Sequence, residues 1–317
     1  MASTLFRLLK EEEYYTIANV NPRGAAVLEN NPHVDEIMLH VDDSVPNEKL
    51  DEHWKGLAAG VDRFINLSGS IEKGLLKTKD TPEYSMPKGF RHELCNVNYY
   101  DRTLALGGYP HLKGLNGELY FSIEESKWAR MIKDQHRNKF MILWSLSGSS
   151  VHKFYPYADL VAKKFLEAHP DAVIFDVGEP ACKLLEWDHP RTKKRVGVWS
   201  IRKSFVMTKY ADLVIGPETG VLNAAGCFET PKIVFLSHSS AENLCKYWKN
   251  CIPVEADEQH ARCHPCHKMI YSTKDCLNNP VTQTPVCMAH LDPEIVLAAM
   301  EKVYLKWKES KHGAFCR

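Results

Sequence analysis

The sequence predicts an α/β fold of two Rossmann-like domains whose parallel sheets face a common cleft. Short apolar segments alternate with helical segments, and this alternation breaks off near residue 138 before starting again. A length of 317 residues and an apolar content of 44% supply enough material for two cores. We expect an N-terminal domain over 1–137, a C-terminal domain over 138–290, and a helix with a tail over 291–317.

The first half of the chain has short segments expected to form strands that alternate with helical segments and turn residues. The segments expected to form strands are 14–20, 34–41, 64–68 and 118–122. A helix is expected over 92–107, before a break at Gly107-Gly108. Ser122, followed three residues later by Glu125, has the spacing of a capping box, which predicts a helix over 123–137.

The second half repeats this alternation of strands and helices. Residues 140–145 (FMILWS) are continuously apolar, as is typical of a strand buried on both faces. The other segments expected to form strands are 172–177, 195–199, 211–215 and 232–236. Asp292-Pro293 predicts the start of a terminal helix that continues to about residue 310.

Charge and hydropathy exclude two classes of protein. Forty basic and forty acidic residues balance to a net charge of zero, whereas a dedicated nucleic-acid binder carries a basic excess. No apolar run reaches the ~18–20 residues of a membrane span. The first fifteen residues lack the basic and then apolar pattern of a signal peptide, so we expect a cytoplasmic protein that binds no nucleic acid.

A small polar loop follows the buried strand 140–145. It contains Ser147, Gly148 and Ser149 and is followed by Lys153. Because ligands of open parallel sheets bind at the carboxyl ends of the strands, this loop could cradle a phosphate with amides, hydroxyls and one cation. The alternative is an ordinary strand-to-helix loop with an exposed lysine.

A second loop with this placement follows the strand 211–215 and opens a helix. Its candidate ligand-binding residues are Glu218, Thr219, Gly220, Val221 and Asn223. A glycine at such a helix start lets a ligand approach the backbone, amides there favour an anion, and the carboxylate can accept hydrogen bonds from sugar hydroxyls. The alternative is a helix capped by its threonine with no ligand.

The order of these motifs resembles glycosyltransferase family 9, the heptosyltransferases. The resemblance rests on S-G-S-S-x-H-K after a strand, on ADLVIGPETGVLNAAG followed by TPKIVFL, and on VNPRGAAVLENNPHVDEIM near the N-terminus. It implies a GT-B fold with a nucleotide-sugar donor of the ADP-heptose type bound by the C-terminal domain. It also implies a saccharide or lipopolysaccharide-type acceptor bound by the N-terminal domain, metal-independent transfer, and a place in the cytoplasm or at the membrane periphery.

The sequence departs from the family pattern at three points. The family's motif Asp is Glu218 here, and its motif His is Asn223. The family's opening strand and its following Asp, the general base, have no counterpart because the sequence starts in the next helix. We therefore expect little transferase activity of this chain, with His92 and Glu72 as substitute candidates for the catalytic base.

Two further features have more than one interpretation. The family places the nucleobase near Trp199 and Ser200, although core packing explains the tryptophan equally well. A cysteine cluster between 263 and 287 has zinc-like spacing in its first pair. A structural zinc, free thiols or a disulfide are all compatible with the cluster, which consists of Cys263, Cys266, Cys276 and Cys287.

The sequence thus predicts a glycosyltransferase that moves a sugar, heptose by family default, from a nucleotide donor to a saccharide. One alternative is a non-catalytic nucleotide-sugar-binding protein or an inactive fragment, as the unmatched Asp indicates. Another is a different GT-B enzyme, such as a nucleotide-sugar 2-epimerase, against which the E-T-G motif and the cysteine stretch argue.

Overall fold

The computed structural model describes residues 1–41, 44–148, 150 and 153–313. Within these residues the chain forms two α/β parts, each built around a parallel sheet. This confirms the α/β class with parallel sheets. The boundary expected near residue 138 falls between a helix that ends at Gln135 and a strand that begins at Phe140.

The N-terminal part contains a small sheet of two parallel strands in the described residues. The strands are β1 (Ile17–Val20) and β2 (Glu36–Leu39). The α-helices of this part are α1 (Ser3–Glu11), α2 (Pro22–Leu28), α3 (Leu50–Ala58), α4 (Lys88–Cys95), α5 (Tyr99–Leu106) and α6 (Ile123–Gln135). The capping box predicted for Ser122 and Glu125 is present at the start of α6.

Three predictions for this part are wrong, because side chains satisfy backbone groups that a sheet or one long helix would otherwise use. Residues 64–68 form no strand, since the Asn66 side chain accepts a hydrogen bond from the Ser68 amide in a local turn. Residues 118–122 form none either, and the Ser3 hydroxyl accepts from the Glu118 amide. The helix expected over 92–107 divides because Asn98 caps α5.

The C-terminal part is a six-stranded parallel sheet with helices on both faces. Its strands are β3 (Phe140–Ser145), β4 (Ala172–Val177), β5 (Thr192–Lys194), β6 (Leu213–Pro217), β7 (Lys232–Phe235) and β8 (Cys251–Val254). Its α-helices are α7 (Ala158–Ala168), α8 (Ile201–Thr208), α9 (Gly220–Gly226), α10 (Ala241–Leu244), α11 (Val286–Ala289) and α12 (Pro293–Gly313). The strand order is β5-β4-β3-β6-β7-β8, which reverses direction between β3 and β6.

One strand prediction for this part is wrong, and one strand was not predicted. The strand expected over 195–199 lies instead at Thr192–Lys194, because the Val198 and Trp199 amides turn back to the Arg195 carbonyl. The last strand, β8, has no strong sequence signal and contains Pro253. An edge strand tolerates proline because one row of its backbone groups needs no partner.

Strand β3 is buried on both faces, as its apolar run predicts. Phe140, Ile142 and Trp144 belong to a core with α7 and α12, whereas Met141 and Leu143 belong to a second core with α8 and α9. This alternation follows from the two-residue period of a strand. No helix in the described part of the chain is both long and apolar enough to cross a bilayer.

Arg202 on α8 joins the two parts. Its guanidinium forms two hydrogen bonds of 2.6 and 2.9 Å with the Glu125 carboxylate and donates to the backbone carbonyls of Ala26 and Tyr120. Only 10% of the Arg202 side chain is exposed. Such a planar two-bond pair in a partly desolvated place is stronger than a surface ion pair.

We expect Arg202→Met to lower the free energy of unfolding by about 2 kcal/mol, because Glu125 then loses its partner in a half-buried place. Arg23→Met is the matched control, since Arg23 pairs with Glu179 between the same two parts but both side chains are mostly exposed. That substitution should cost less than about 1 kcal/mol. Urea unfolding at neutral pH compares the two variants. An equal loss of unfolding free energy in both would contradict the stabilising role of Arg202.

The stability difference between the wild type and Arg202→Met should also depend on pH. The hydrogen bonds from Arg202 lower the pKa of Glu125 below its usual value of 4.5. The stabilisation is therefore fully present above pH 4.5 and is lost as the pH falls through the lowered pKa. We expect the difference between wild type and Arg202→Met to shrink in unfolding experiments at acidic pH, and a constant difference down to about pH 2 would contradict the assignment.

Candidate functional site

The candidate site lies at the carboxyl ends of β3 and β6, where the strand order reverses. This reversal leaves a crevice at the strand ends, and ligands of open α/β sheets bind there. The hydroxyls of Ser145, the last residue of β3, and Thr219, just after β6, lie 3.1 Å apart. The two polar loops that the sequence singles out therefore meet at one place.

Gly216 permits this close approach of the two strand ends. Its φ is +149°, and a Cβ at this position would lie 2.4 Å from the Ser145 carbonyl oxygen. No other residue type fits here without moving β3 away from β6. Gly216 is therefore required by the fold itself, before any ligand is considered.

Lys153 is a buried cation at this crevice. Its Nζ donates a 2.9 Å hydrogen bond to the backbone carbonyl of Glu218, and a Cβ on Gly148 would touch the lysine stem at 2.8 Å. Burial lowers the pKa of Lys153, while the charges of Glu218 and Glu72 act in the opposite direction. Within the described residues no carboxylate lies within ion-pair distance of this ammonium.

The Glu218 carboxylate binds the loop after β7. Its Oε1 accepts hydrogen bonds from the backbone amides of Ser237, His238 and Ser239, at 2.5, 3.2 and 3.4 Å. The Ser237 hydroxyl also lies 3.1 Å from Oε1. The carboxylate thus already has protein partners, and its contact with sugar hydroxyls stays a prediction.

His238 completes this buried polar cluster. Its Nε2 lies 3.1 Å from the second carboxylate oxygen of Glu218, and its Nδ1 lies 3.2 Å from the Ser237 hydroxyl. Burial, with a contribution from Lys153, lowers the pKa of His238 well below its usual value. The imidazole is therefore neutral at physiological pH and contacts the carboxylate by a hydrogen bond rather than as an ion pair.

The residues around Gly220 have distinct places in α9. The Thr219 hydroxyl caps the helix by accepting from the Leu222 amide, and Val221 is part of the core. Asn223 donates to the Thr219 carbonyl at 3.0 Å. A Cβ on Gly220 would meet only the Phe205 ring at 3.6 Å, an ordinary contact, so the fold does not require glycine there.

The other residues predicted to contact the donor differ in where they lie and in what they contact. Trp199 stacks on Phe175 with ring centres 5.5 Å apart and meets Trp128 edge-on, so its ring has a packing role. Ser200 caps α8 by accepting from the Lys203 amide. Ser147 and Gly148 follow the end of β3 as expected, and Ser149 lies outside the described residues.

The N-terminal part contributes both candidate bases. Glu72 is exposed, and its charge raises the pKa of Lys153. His92 on α4 pairs with His267, with Nδ1 and Nε2 3.0 Å apart. Of the two, Glu72 is the residue that acts electrostatically on the predicted donor site.

Sequence reasoning missed the segment Ser237–Ser239. A signal was present, because FLSHSS places polar residues directly after a predicted strand, at the same sheet edge as the other two loops. The Tyr99 hydroxyl, which lies 2.5 Å from that of Ser239, joins the segment to α5. This contact links residues 140 positions apart, so no local pattern could predict it.

The four cysteines between 263 and 287 are free thiols that lie near one another. Burial together with neighbouring Cys263 and Cys276 raises the pKa of Cys266 to about 12. Cys287 is the most buried, and the other three thiols contribute to its raised pKa. Among the described side chains, no group of three or more His, Cys, Asp or Glu is arranged to hold a metal. A structural zinc therefore stays a prediction.

Comparison with known proteins identifies the fold. No protein-family model and no curated protein matches the sequence. A glycosyltransferase of family 9 from Veillonella parvula matches with a TM-score of 0.66 and 12% identity, over 96% of this chain and 93% of that one. E. coli ADP-heptose lps heptosyltransferase II matches with a TM-score of 0.59 and 13% identity, over 97% and 95%. The chain therefore has their GT-B-like fold over nearly its whole length.

We expect Glu218→Ala to lower the free energy of unfolding by about 3 kcal/mol, because it leaves buried amides after β7 without an acceptor. Glu218→Gln keeps one oxygen for those amides and should cost about 1 kcal/mol. Denaturant unfolding measures both values. Equal costs would show that the carboxamide oxygen cannot replace Oε1 and that the loop does not depend on these hydrogen bonds.

The cysteine cluster is tested by metal analysis of protein purified without chelator. A structural zinc predicts about one equivalent per chain, and less than about a quarter of an equivalent would exclude it. In either case we expect Cys276→Ser to leave nucleotide affinity unchanged in folded protein, because the hydrogen bond described for the Cys276 thiol goes to the neighbouring Leu277 carbonyl and not to a loop of the candidate site. Loss of binding in that variant would contradict a structural role.

Proposed function

We propose that this chain is a family 9 glycosyltransferase that transfers a sugar from a nucleoside-diphosphate-sugar to a saccharide acceptor. The expected sugar is heptose and the expected nucleotide is ADP. The expected acceptor is a lipopolysaccharide-type saccharide, and the expected location of the reaction is the cytoplasm. The shared fold supports the class of enzyme, and the loop order around Lys153 and Glu218–Gly220 supports the donor site.

The buried ammonium of Lys153 is the observation that carries the proposal. A buried cation is costly unless an opposite charge compensates it, and here its described hydrogen-bond partner is a backbone carbonyl. An ammonium has three donors, so it can bind a phosphate oxygen while keeping the Glu218 carbonyl. A diphosphate in the crevice would supply the missing negative charge.

The reaction places two demands on this site. The acceptor hydroxyl loses a proton to a base and attacks the anomeric carbon, while the bond to the diphosphate breaks. Lys153 stabilises the negative charge that grows on the departing diphosphate, which is how fixed cations and amides lower such barriers. Gly220 is exposed, which lets the phosphate approach the start of α9.

The acceptor side is supplied by the N-terminal part. Glu72 carries a carboxylate that can take a proton, and its charge reaches Lys153. A pair of opposite charges on the two sides of the crevice suits a reaction in which a proton leaves one substrate and negative charge grows on the other. His92 remains the second candidate for the base.

A non-catalytic nucleotide-binding protein is the second candidate function. It is favoured by the Glu218 carboxylate, whose oxygens are already occupied by the Ser237–Ser239 amides and His238. Both functions need the diphosphate site, and only the enzyme releases free nucleoside diphosphate from a donor sugar in the presence of acceptor. Donor turnover therefore separates the two.

We expect Lys153→Met to weaken ADP binding at least about tenfold, because one charge-assisted hydrogen bond is worth about 1.5–3 kcal/mol. The same substitution should leave the unfolding free energy equal or higher, since it removes a buried charge with no ionic partner. Calorimetric titration with ADP, UDP and GDP, and urea unfolding, provide the two readouts. Unchanged affinity for every nucleotide would remove Lys153 from the site.

Gly220→Ala is the complementary variant. It should fold normally and gain up to about 1 kcal/mol of stability, because alanine fits beside Phe205 and favours the helix. Its Cβ should nonetheless weaken ADP binding by limiting backbone approach. Wild-type affinity in this variant would contradict close approach at α9, and failure of the wild type to bind any nucleotide would contradict the donor site.

A further inference from the structure

Two histidines form a contact between the N-terminal part and the segment after β8. The Nδ1 of His92, on α4, lies 3.0 Å from the Nε2 of His267, and the two ring centres are 5.2 Å apart. The His267 amide donates to the His238 carbonyl at 2.9 Å, and His238 contacts the Glu218 carboxylate. The histidine pair therefore borders the candidate site, on the side of the N-terminal part.

The position of His267 is fixed by its backbone and by burial. Besides the hydrogen bond that its amide donates, its carbonyl accepts one from the Lys77 amide at 2.8 Å. Its φ of +53° lies in the left-handed region, which a residue other than glycine adopts only where its surroundings hold it. The side chain is completely buried. The ring is therefore held with its Nε2 toward His92.

Both rings of the pair are neutral. Burial disfavours a charged imidazole unless an acidic group compensates its charge. In the described part of the chain no carboxylate lies within ion-pair distance of either ring, whereas His238 and His264 each lie 3.1 Å from one. The Arg91 guanidinium donates to the Cys266 carbonyl at 2.9 Å, next to His267, and opposes a second positive charge there. Each ring therefore carries one N–H and one bare nitrogen.

Two arrangements of these protons are compatible with the hydrogen bond between the rings. Either His267 Nε2 donates to His92 Nδ1, or His92 Nδ1 donates to His267 Nε2. The second arrangement puts the His267 proton on Nδ1, which is buried and has no hydrogen-bond partner among the described residues. A buried N–H without an acceptor is avoided more strictly than a lone pair without a donor. The first arrangement is therefore favoured, and it leaves the His92 proton on Nε2.

The outer nitrogen of His92 decides what this residue can do. The side chain is partly exposed, and its Nε2 has no hydrogen-bond partner within the described chain. With a proton on Nε2, the ring can donate a hydrogen bond to a substrate oxygen, but this nitrogen has no lone pair with which to take a proton. A general base needs such a lone pair.

We propose that His267 positions the protons of the pair so that His92 donates an Nε2–H hydrogen bond to the acceptor saccharide and is not the base. The proposal rests on the proposed function, and within it Glu72 is the residue that takes the proton of the acceptor hydroxyl. His267 touches no substrate and is a positioning residue. The two neutral rings carry one proton each, on Nε2, and no proton passes between them.

The experiment uses the folded full chain with isotope-labelled histidine. Long-range proton–nitrogen correlation spectra at neutral pH show which ring nitrogen of each histidine carries the proton. We expect His92 and His267 to carry it on Nε2 alone, and the buried His267 N–H to exchange slowly with water. The exposed His111 is the reference and should report a mixture of tautomers. The variants His92→Gln and His267→Gln assign the two sets of signals.

The spectrum of the wild type decides the proton assignment by itself. A proton on Nδ1 of His92, or a mixture of tautomers like that of His111, would overturn the proposal. His267→Leu removes the donor and should convert His92 to such a mixture. A folded His267→Leu protein in which His92 stays protonated on Nε2 alone would show that His267 does not position the proton.

Kinetics test the consequence for the reaction, with ADP-heptose as donor and lipopolysaccharide stripped of its outer sugars as acceptor. Glu72→Gln should lower kcat at least about a hundredfold, as loss of a general base does. His92→Leu should instead raise the KM for the acceptor at least about fivefold, and His92→Gln, which restores an N–H, should recover part of that loss.

A hundredfold loss of kcat in both His92 variants would overturn the proposal, because it would make His92 the base. A wild type that releases no ADP would contradict the proposed function instead. The two failures are distinguishable, since the spectra test the proton assignment without any turnover.

Discussion

The positions of Lys153 and of the N-terminal part both depend on the hydrogen bonds between the Glu218 carboxylate and the Ser237–Ser239 amides. They join the loop after β6 to the loop after β7, at the edge where a parallel sheet binds its ligands. A buried carboxylate needs several donors, and three consecutive amides supply them. The Glu218 carbonyl in turn receives Lys153, so the position of the buried cation follows from the same residue.

The position of the N-terminal part follows from the same loop. Beyond Ser239, the Asn243 side chain donates to the carbonyls of Cys95 and Val97, and Asn98 donates back to the Glu242 and Asn243 carbonyls. These reciprocal amide bonds bring α4 and α5 against α10. Helix α4, which carries His92, is therefore positioned through contacts that begin at Glu218.

Much of the C-terminal part could be predicted from the sequence because its four central strands, β3, β4, β6 and β7, are buried on both faces. The continuous apolar run of β3 and the small residues after β6 are local signals, and they place Lys153 and Thr219 at one sheet edge. In the N-terminal part the sequence predicts β1 and β2, within 14–20 and 34–41, but it also predicts strands over 64–68 and 118–122 that do not form, because the side chains of Asn66 and Ser3 satisfy backbone groups there. The partners of Glu218 escaped prediction because they depend on tertiary contact.

The residues of the site differ in whether the fold requires them. Gly216 is needed for the strands to approach each other, whereas Gly220 is not needed for folding. Lys153 is buried without an ionic partner in the described chain, and Glu218 is buried with many hydrogen bonds. A residue that the fold does not need, or that costs stability, is the kind expected to bind a ligand.

A crystal structure of the chain with ADP bound tests the donor site most directly. We expect the diphosphate at the carboxyl ends of β3 and β6, with a phosphate oxygen within hydrogen-bond distance of Lys153 Nζ and beside Gly220. ADP bound instead in the cavity lined by Asp212, Cys251 and Trp307, with the crevice at Lys153 free of nucleotide, would contradict the assignment.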